Sequence, residues 1–203
     1  MSRPAPTAEN ITALILAGGR GTRMQGADKG LVELAGKPLV LHVLEALRAQ
    51  VGSVRINANR NAERYAQLTK LPVCADLREG YEGPLAGIEA GFAASSTPWL
   101  LAVPCDTPGL PADLVAQLGA GLQNAAAPAA YAQAPDGPVY PLCLVSRALA
   151  PALRGALDAG ERAVGRWLQA QQALAVPIRG WPLPMSNLNT PERLAAAEAM
   201  MRG

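Results

Sequence analysis

The run ILAGGRGTRMQGADKGL, residues 15–31, sets glycines and cations directly behind a short apolar segment. Backbone N–H groups around Gly18, Gly19 and Gly21 can converge on an anion, and Arg20, Arg23 and Lys29 bring positive charge to the same place. Two familiar phosphate loops come close, and both fail. Gly19-x-Gly21 begins a dinucleotide fingerprint, but Met24 stands where the third glycine belongs, and no acidic residue ends the next expected strand, VRINANR. Gly21-x-x-x-x-Gly26 begins a P-loop, but Ala27, Asp28 and Lys29 come next where Lys and Ser or Thr are required. The chemistry this loop suits is the holding of a triphosphate. Its plain alternative is a tight strand-to-helix turn carrying solvated cations.

Three further polar residues end expected strands. Asp106, in AVPCDTP, is placed to hold a hard cation such as Mg²⁺ against phosphate oxygens, or else to act as an N-cap for the next segment. Asp76 could accept hydrogen bonds from the N1–H and exocyclic amine of guanine, and the Asn57 amide could serve a base or a ribose; either could equally be a strand-end turn residue. GPLAG, residues 83–87, is a turn that could bring backbone against a base edge, or a simple helix start. His42 is the sole histidine and lies inside an amphipathic pattern, which points to packing or surface exposure rather than catalysis. Acyl transfer by a Ser-His-Asp triad therefore lacks a base. Nucleotidyl transfer needs none when the nucleophile is already an ionised phosphate, because catalysis is then positioning and charge stabilisation.

These residues must be presented by a scaffold, and the periodicity indicates an α/β one. Short β-rich runs alternate with helical patterns, so the expectation is a three-layer α/β/α domain with a mostly parallel, Rossmann-like sheet. Strands are expected at ITALILA (11–17), SVRINAN (53–59), PVCAD (72–76) and WLLAVPCD (99–106), separated by helices in 39–50, 62–68 and 83–95. The second half is plainer: AAYAQ (129–133), VYPLCLVS (139–146) and ALAVPI (173–178) read as strands, with Pro141 marking an edge or bulged strand. Helical patterns cover the end of 107–122, then 147–157, 161–171 and 189–202, the last with Thr190 at the N-cap and Pro191 at N1. In an open parallel sheet, ligands bind at the carboxyl ends of the strands, where the loop, Asn57, Asp76 and Asp106 all fall.

Composition narrows the classes. The 203 residues suit one domain, with a flexible polar lead over 1–10, a nucleotide half over about 11–110 and an acceptor half over about 111–203. A net charge of +2 and 4% aromatic residues argue against a nucleic-acid surface. No apolar stretch is long enough to span a membrane, and the lead is unlike a secretion signal, so a cytoplasmic location is expected. Cys74, Cys105 and Cys143 are odd in number and widely spaced, as reduced thiols would be.

Taken together, LAGGRGTRMQGADKGL, GKPLVLHV, INANR, GPLAG, PCDTP, GERAV and NLNTPERL, in that order, resemble the molybdenum cofactor guanylyltransferase family over nearly the whole chain. Members are bacterial enzymes that transfer GMP from GTP to molybdopterin. The opening loop alone is common to the wider nucleotidyltransferase superfamily; its combination with PCDTP and the late N-x-N-T-P-E is more specific. The resemblance implies that Leu16, Ala17, Gly18 and Gly19 contact GTP, with Lys29 at its phosphates, Asn57 and Asp76 as nucleotide contacts, and Asp106 as nucleotide contact and Mg²⁺ ligand. Arg23 and Lys29 would stabilise the transition state, and Asn187 and Asn189 match an asparagine pair associated with the acceptor. Gln25 replaces a common glycine, and Tyr140 replaces a frequent histidine; the second departure bears on the acceptor site and not on the nucleotide half. Transient contact with cofactor-biosynthesis proteins is a further implication. The competing readings are a cytidylyltransferase for the same pterin, a guanylyltransferase for another phosphorylated acceptor, and a non-catalytic module that delivers a nucleotide or pterin.

Overall fold

The structure is a computed structural model that describes residues 3–18, 28–80, 83–181, 188 and 191–202. Its strands are β1 (Ile11–Leu16), β2 (Glu33–Leu34), β3 (Lys37–Pro38), β4 (Ser53–Asn57), β5 (Val73–Cys74), β6 (Trp99–Pro104), β7 (Ala129–Ala134), β8 (Gly137–Ser146) and β9 (Leu174–Pro177). The α-helices are α1 (Leu39–Arg48), α2 (Ala62–Thr69), α3 (Pro84–Ala94), α4 (Leu114–Ala125), α5 (Ala150–Asp158), α6 (Val164–Ala170) and α7 (Pro191–Arg202). Seven strands form one sheet in the order β5-β4-β1-β6-β8-β7-β9, and β2 and β3 form a separate hairpin. β5, β4, β1 and β6 run parallel, while β8 is antiparallel to both β6 and β7.

Alternation along the central strands builds two cores. Ile11, Ala13 and Ile15 of β1, with Trp99, Leu101 and Val103 of β6, pack against α1, α2 and α4 on one face. Leu14, Leu100 and Ala102 point the other way, toward α3, α5 and α6. Both faces are covered, so these strands are continuous apolar runs rather than half-polar ones. The three-layer, mostly parallel architecture expected from the periodicity is present. α3 lies unusually close to the sheet: a Cβ at Gly87 would stand 2.5 Å from Asn57 Oδ1, and one at Gly91 would stand 2.5 Å from Leu14 Cδ2. The second glycine of GPLAG thus serves packing beside Asn57.

Several local expectations change. β8 is an interior strand, not an edge; Pro141 is accommodated because the β7–β8 register jumps from Tyr131↔Cys143 to Ala132↔Val139, which leaves residues 140–142 in a bulge. The β2–β3 hairpin has no counterpart in the sequence reading. Its turn residues Ala35 (φ 52°) and Gly36 (φ 78°) are both left-handed, the geometry a tight hairpin requires. His42 Nε2 lies 3.0 Å from the Leu34 carbonyl, a packing role against this hairpin. Residues 161–163 precede α6 instead of opening it: the Glu161 carboxylate accepts from the N–H groups of Arg162 (2.8 Å) and Ala163 (2.7 Å).

The lead, expected to be flexible, makes specific contacts from residue 3 onward. Arg3 Nη2 donates to the Ala126 carbonyl at 2.9 Å, Trp99 Nε1 donates to the Pro4 carbonyl at 2.9 Å, and the Arg3 guanidinium lies over the Trp99 ring. Pro191 opens α7, as expected; Thr190 lies outside the described residues.

Candidate active site

The crossovers β1-α1-β4 and β4-α2-β5 use one face of the sheet and β5-α3-β6 the other, so the chain reverses its direction of winding between β1 and β6. Diverging loops at such a switch point open a crevice beyond the carboxyl ends of the strands. β1 delivers Leu16, Ala17 and Gly18 to it, and β6 delivers Asp106.

Asp106 is buried and does not cap a helix, since α4 begins only at Leu114. Its Oδ2 instead pairs with Lys29 Nζ at 3.1 Å. Lys29 opens a short 3-10 turn, residues 29–31, across the crevice from β6. The backbone at the end of β1 is partly committed: the Leu16 carbonyl accepts from the Cys105 N–H at 3.1 Å, and the Ala17 N–H donates to the Asn57 carbonyl at 2.8 Å. Amides that this segment could offer an anion therefore begin at Gly18. Burial pushes the neighbouring Cys105 thiol well above its ordinary pKa, so it stays neutral beside the carboxylate.

One strand further out, Asn57 and Asp76 meet. Asn57 Nδ2 donates to Asp76 Oδ1 at 2.9 Å, and Asn57 is itself buried. Asn59 completes a cyclic pair: its Nδ2 donates to Asp76 Oδ2 at 2.7 Å while its Oδ1 accepts from the Asp76 N–H at 2.8 Å. Gly18 passes close by, for a Cβ there would lie 3.2 Å from both Asn57 Oδ1 and Asn59 Nδ2. Leu16, Ala17, Gly18, Asn57 and Asp76 thus share one end of the sheet with the Lys29–Asp106 pair.

Sequence reasoning passed over Asn59, although its signal was present. Asn57 and Asn59 are two apart at a strand end, and a period of two puts both on one side of the chain. It also passed over Leu188, which is buried and donates its N–H to the Asp106 carbonyl at 2.9 Å. That bond brings Leu188 to the carboxyl end of β6; Asn187 and Asn189 lie outside the described residues, as do Gly19, Arg23 and Gln25. Tyr140, in the β8 bulge, stacks obliquely on Tyr131 with ring centroids 5.1 Å apart, and its ring abuts α6 so closely that a Cβ at Gly165 would lie 2.8 Å from it.

Among the described residues no three His, Cys, Asp or Glu side chains gather into a metal-holding group. A single hard carboxylate, Asp106, at the mouth of the crevice fits Mg²⁺, which keeps waters and is bound by one or two carboxylates together with substrate phosphates.

A polar edge of this kind at the switch point of a mostly parallel sheet makes this an α/β protein with a ligand crevice at the carboxyl ends of its strands. The MobA-like NTP transferase domain family matches residues 13–174, which makes it one of the nucleotidyltransferase type. The chain is 45% identical to the molybdenum cofactor guanylyltransferase of Serratia proteamaculans over 184 residues, 91% of this chain and 92% of that protein. It belongs to the MobA-like family, among the molybdenum cofactor guanylyltransferases. Solved structures carry the same fold at lower identity. Molybdopterin-guanine dinucleotide biosynthesis protein A from Archaeoglobus fulgidus superposes with a TM-score of 0.76 at 24% identity, covering 94% of this chain and 98% of its own. The 2-C-methyl-D-erythritol 4-phosphate cytidylyltransferase of Thermus thermophilus gives 0.69 at 19% identity, with 94% and 98% covered.

Proposed function

We propose that this chain transfers GMP from GTP to molybdopterin, releasing pyrophosphate and forming the molybdopterin guanine dinucleotide. The observation that carries the reading is the Lys29–Asp106 pair at the β1/β6 switch point, one strand away from the Asn57–Asn59–Asp76 cluster, in a chain of this family. A terminal phosphate oxygen of molybdopterin attacks the α-phosphorus of GTP. A new P–O bond forms, the bond from the α-phosphorus to the bridging oxygen breaks, and the electron pair leaves with pyrophosphate.

Lys29 stands where its ammonium can neutralise charge gathering on the phosphates, and Asp106 holds that ammonium in the crevice until substrate arrives. Asp106 would also be the protein ligand of Mg²⁺, which when bound supplies further neutralisation of phosphate charge. Gly18 and Gly19 would offer loop amides and Arg23 a further cation, roles that rest on the family resemblance.

Asp76 supports the base assignment. Each of its oxygens already accepts from an asparagine amide, and a carboxylate oxygen has a second lone-pair site. Guanine offers two donors, N1–H and the exocyclic amine, to that edge. Cytosine would turn its N3 acceptor toward a carboxylate, a repulsive contact. Asn187 and Asn189 are assigned to the acceptor side, consistent with the Leu188 N–H bond to the Asp106 carbonyl. Brief contact with other cofactor-biosynthesis proteins and a cytoplasmic location complete the proposal; no helix among the described residues is long and apolar enough to cross a membrane.

The test is label transfer into the pterin fraction from α-labelled GTP and, separately, α-labelled CTP, each with Mg²⁺ and fresh molybdopterin. Transfer from GTP alone is the expected result. Transfer from CTP would overturn the base assignment, and tight GTP binding without transfer would favour a delivery module.

A further inference from the structure

Lys29 is fixed on one side by Asp106, but its own backbone is fixed from elsewhere. The residue before it, Asp28, turns its carboxylate toward α2, where Tyr65 Oη donates to Oδ1 and Asn61 Nδ2 donates to Oδ2 at 3.0 Å. Tyr65 is fully buried, and burial raises its pKa, so the hydroxyl remains a donor. The fit is close: a Cβ at Gly30 would collide with the Tyr65 hydroxyl and lie 3.1 Å from the ring carbon Cε1. Asp28 also begins the turn that carries Lys29, since its carbonyl accepts from the Leu31 N–H at 3.0 Å.

We infer that Asp28, Tyr65 and Asn61 form a positioning device that holds the backbone of Lys29 so that its ammonium stays in the crevice beside Asp106. A lysine stem is long and flexible, and a reacting-centre group displaced by about 1 Å can lose a hundredfold in rate. Anchoring both carboxylate oxygens of the preceding residue, one by Tyr65 of α2 and the other by Asn61 just before that helix, limits that displacement. Among the described residues, the hydrogen bonds of these three side chains run to one another and not to the ion pair or the base cluster, so they act through the turn. Their effect on catalytic rate rests on the guanylyltransferase reading; their effect on Lys29 does not.

The experiment measures two things on the full chain. Acetylation of individual lysines by an N-hydroxysuccinimide ester, read by mass spectrometry, reports the freedom of Lys29. Pyrophosphate release with GTP, Mg²⁺ and molybdopterin reports turnover. Tyr65→Phe keeps the ring and removes only the donor; Asn61→Gly removes the amide and suits the left-handed backbone at that position (φ 52°). Asp106→Asn serves as the reference for a released Lys29.

In Tyr65→Phe the modification rate of Lys29 should rise about tenfold, toward that of Asp106→Asn, with Lys37 and Lys70 unchanged, and kcat should fall about tenfold while KM for GTP moves less than about twofold. Asn61→Gly should show the same pattern at about a third of the size, and it carries the test if Tyr65→Phe does not fold. An unchanged Lys29 rate overturns the inference. So does a rise shared with Lys70 at the end of α2, which would mean that the helix as a whole had loosened. If Lys29 is freed as expected but even the wild-type chain releases no pyrophosphate, the positioning device stands and the guanylyltransferase reading fails.

Discussion

The two halves of the sheet use polar side chains differently. At the carboxyl ends of β1, β4, β5 and β6, they bond to one another across long sequence separations: Lys29 with Asp106, Asn57 and Asn59 with Asp76, Tyr65 and Asn61 with Asp28. In the second half they mostly serve backbone. Glu161 caps the start of α6, Gln117 spans to the carbonyl and N–H of Arg179, and Arg147 donates to the carbonyls of Phe92, Ser95 and Thr97. The crevice side chains bond mainly to one another, and their carboxylates keep lone-pair sites for a ligand; those that satisfy the carbonyls and N–H groups of other segments hold the fold. The contrast assigns chemistry to one half and scaffolding to much of the other.

The strongest challenge to this contrast is Asp106→Ala. It should lower turnover by about a hundredfold or more, since one charge-stabilising group at a reacting centre is worth about 3 kcal/mol, while thermal unfolding followed by circular dichroism stays cooperative. Near-normal turnover would remove Asp106 from the mechanism. Asp76→Ala comes next: preference for GTP over CTP should fall by about tenfold to a hundredfold, because a lost pair of base contacts is worth about 1–3 kcal/mol. Unchanged discrimination would move base recognition elsewhere.

Arg147→Met should show the opposite behaviour. Several carbonyls lose their donor, so urea unfolding should report a loss of about 1–3 kcal/mol, with kcat and KM for GTP unaltered. A kinetic defect at constant stability would blur the division between the halves. The smallest effect is expected at Glu161. Its contacts with Arg166 and the N–H groups of Ala163 and Arg162 lower its pKa from 4.5 to about 2. A carboxyl group with a depressed folded pKa stabilises above its unfolded pKa and loses that contribution as pH falls through the folded value. The difference in urea midpoint between wild type and Glu161→Gln should therefore be constant near neutral pH, shrink below about 4.5, and be nearly gone at about 2. A difference that persists at low pH would show that the contribution of Glu161 is not that of its charge.

The legibility of the chain falls along the same division. The strands that end at Leu16 and just before Asp106 could be read directly, because β1 and β6 are covered on both faces and so are continuous apolar segments. Asn57 and Asp76 were legible only as polar residues at the ends of short, partly exposed strands. β5 proved shorter than expected, Val73–Cys74 rather than 72–76, since it pairs with β4 alone at the sheet edge. The β2–β3 hairpin escaped notice because its strands are two residues each, too short for any period to register. Pro141 gave a true but incomplete signal. A missing N–H requires an edge or a bulge, and the choice depended on whether another strand lay alongside.

The sequence by itself determined the alternation of strands and helices, the burial of both sheet faces, the ends at which polar residues emerge, and the family. Those features are local, set by the spacing of apolar residues and by short motifs. Only the tertiary structure decided that β8 enters the sheet antiparallel between β6 and β7, that Asn59 shares Asp76 with Asn57, and that Tyr65 of α2 holds the residue next to Lys29. Each of these joins segments far apart in the chain. No local propensity encodes such pairings; they arise from the order in which the strands come to lie side by side.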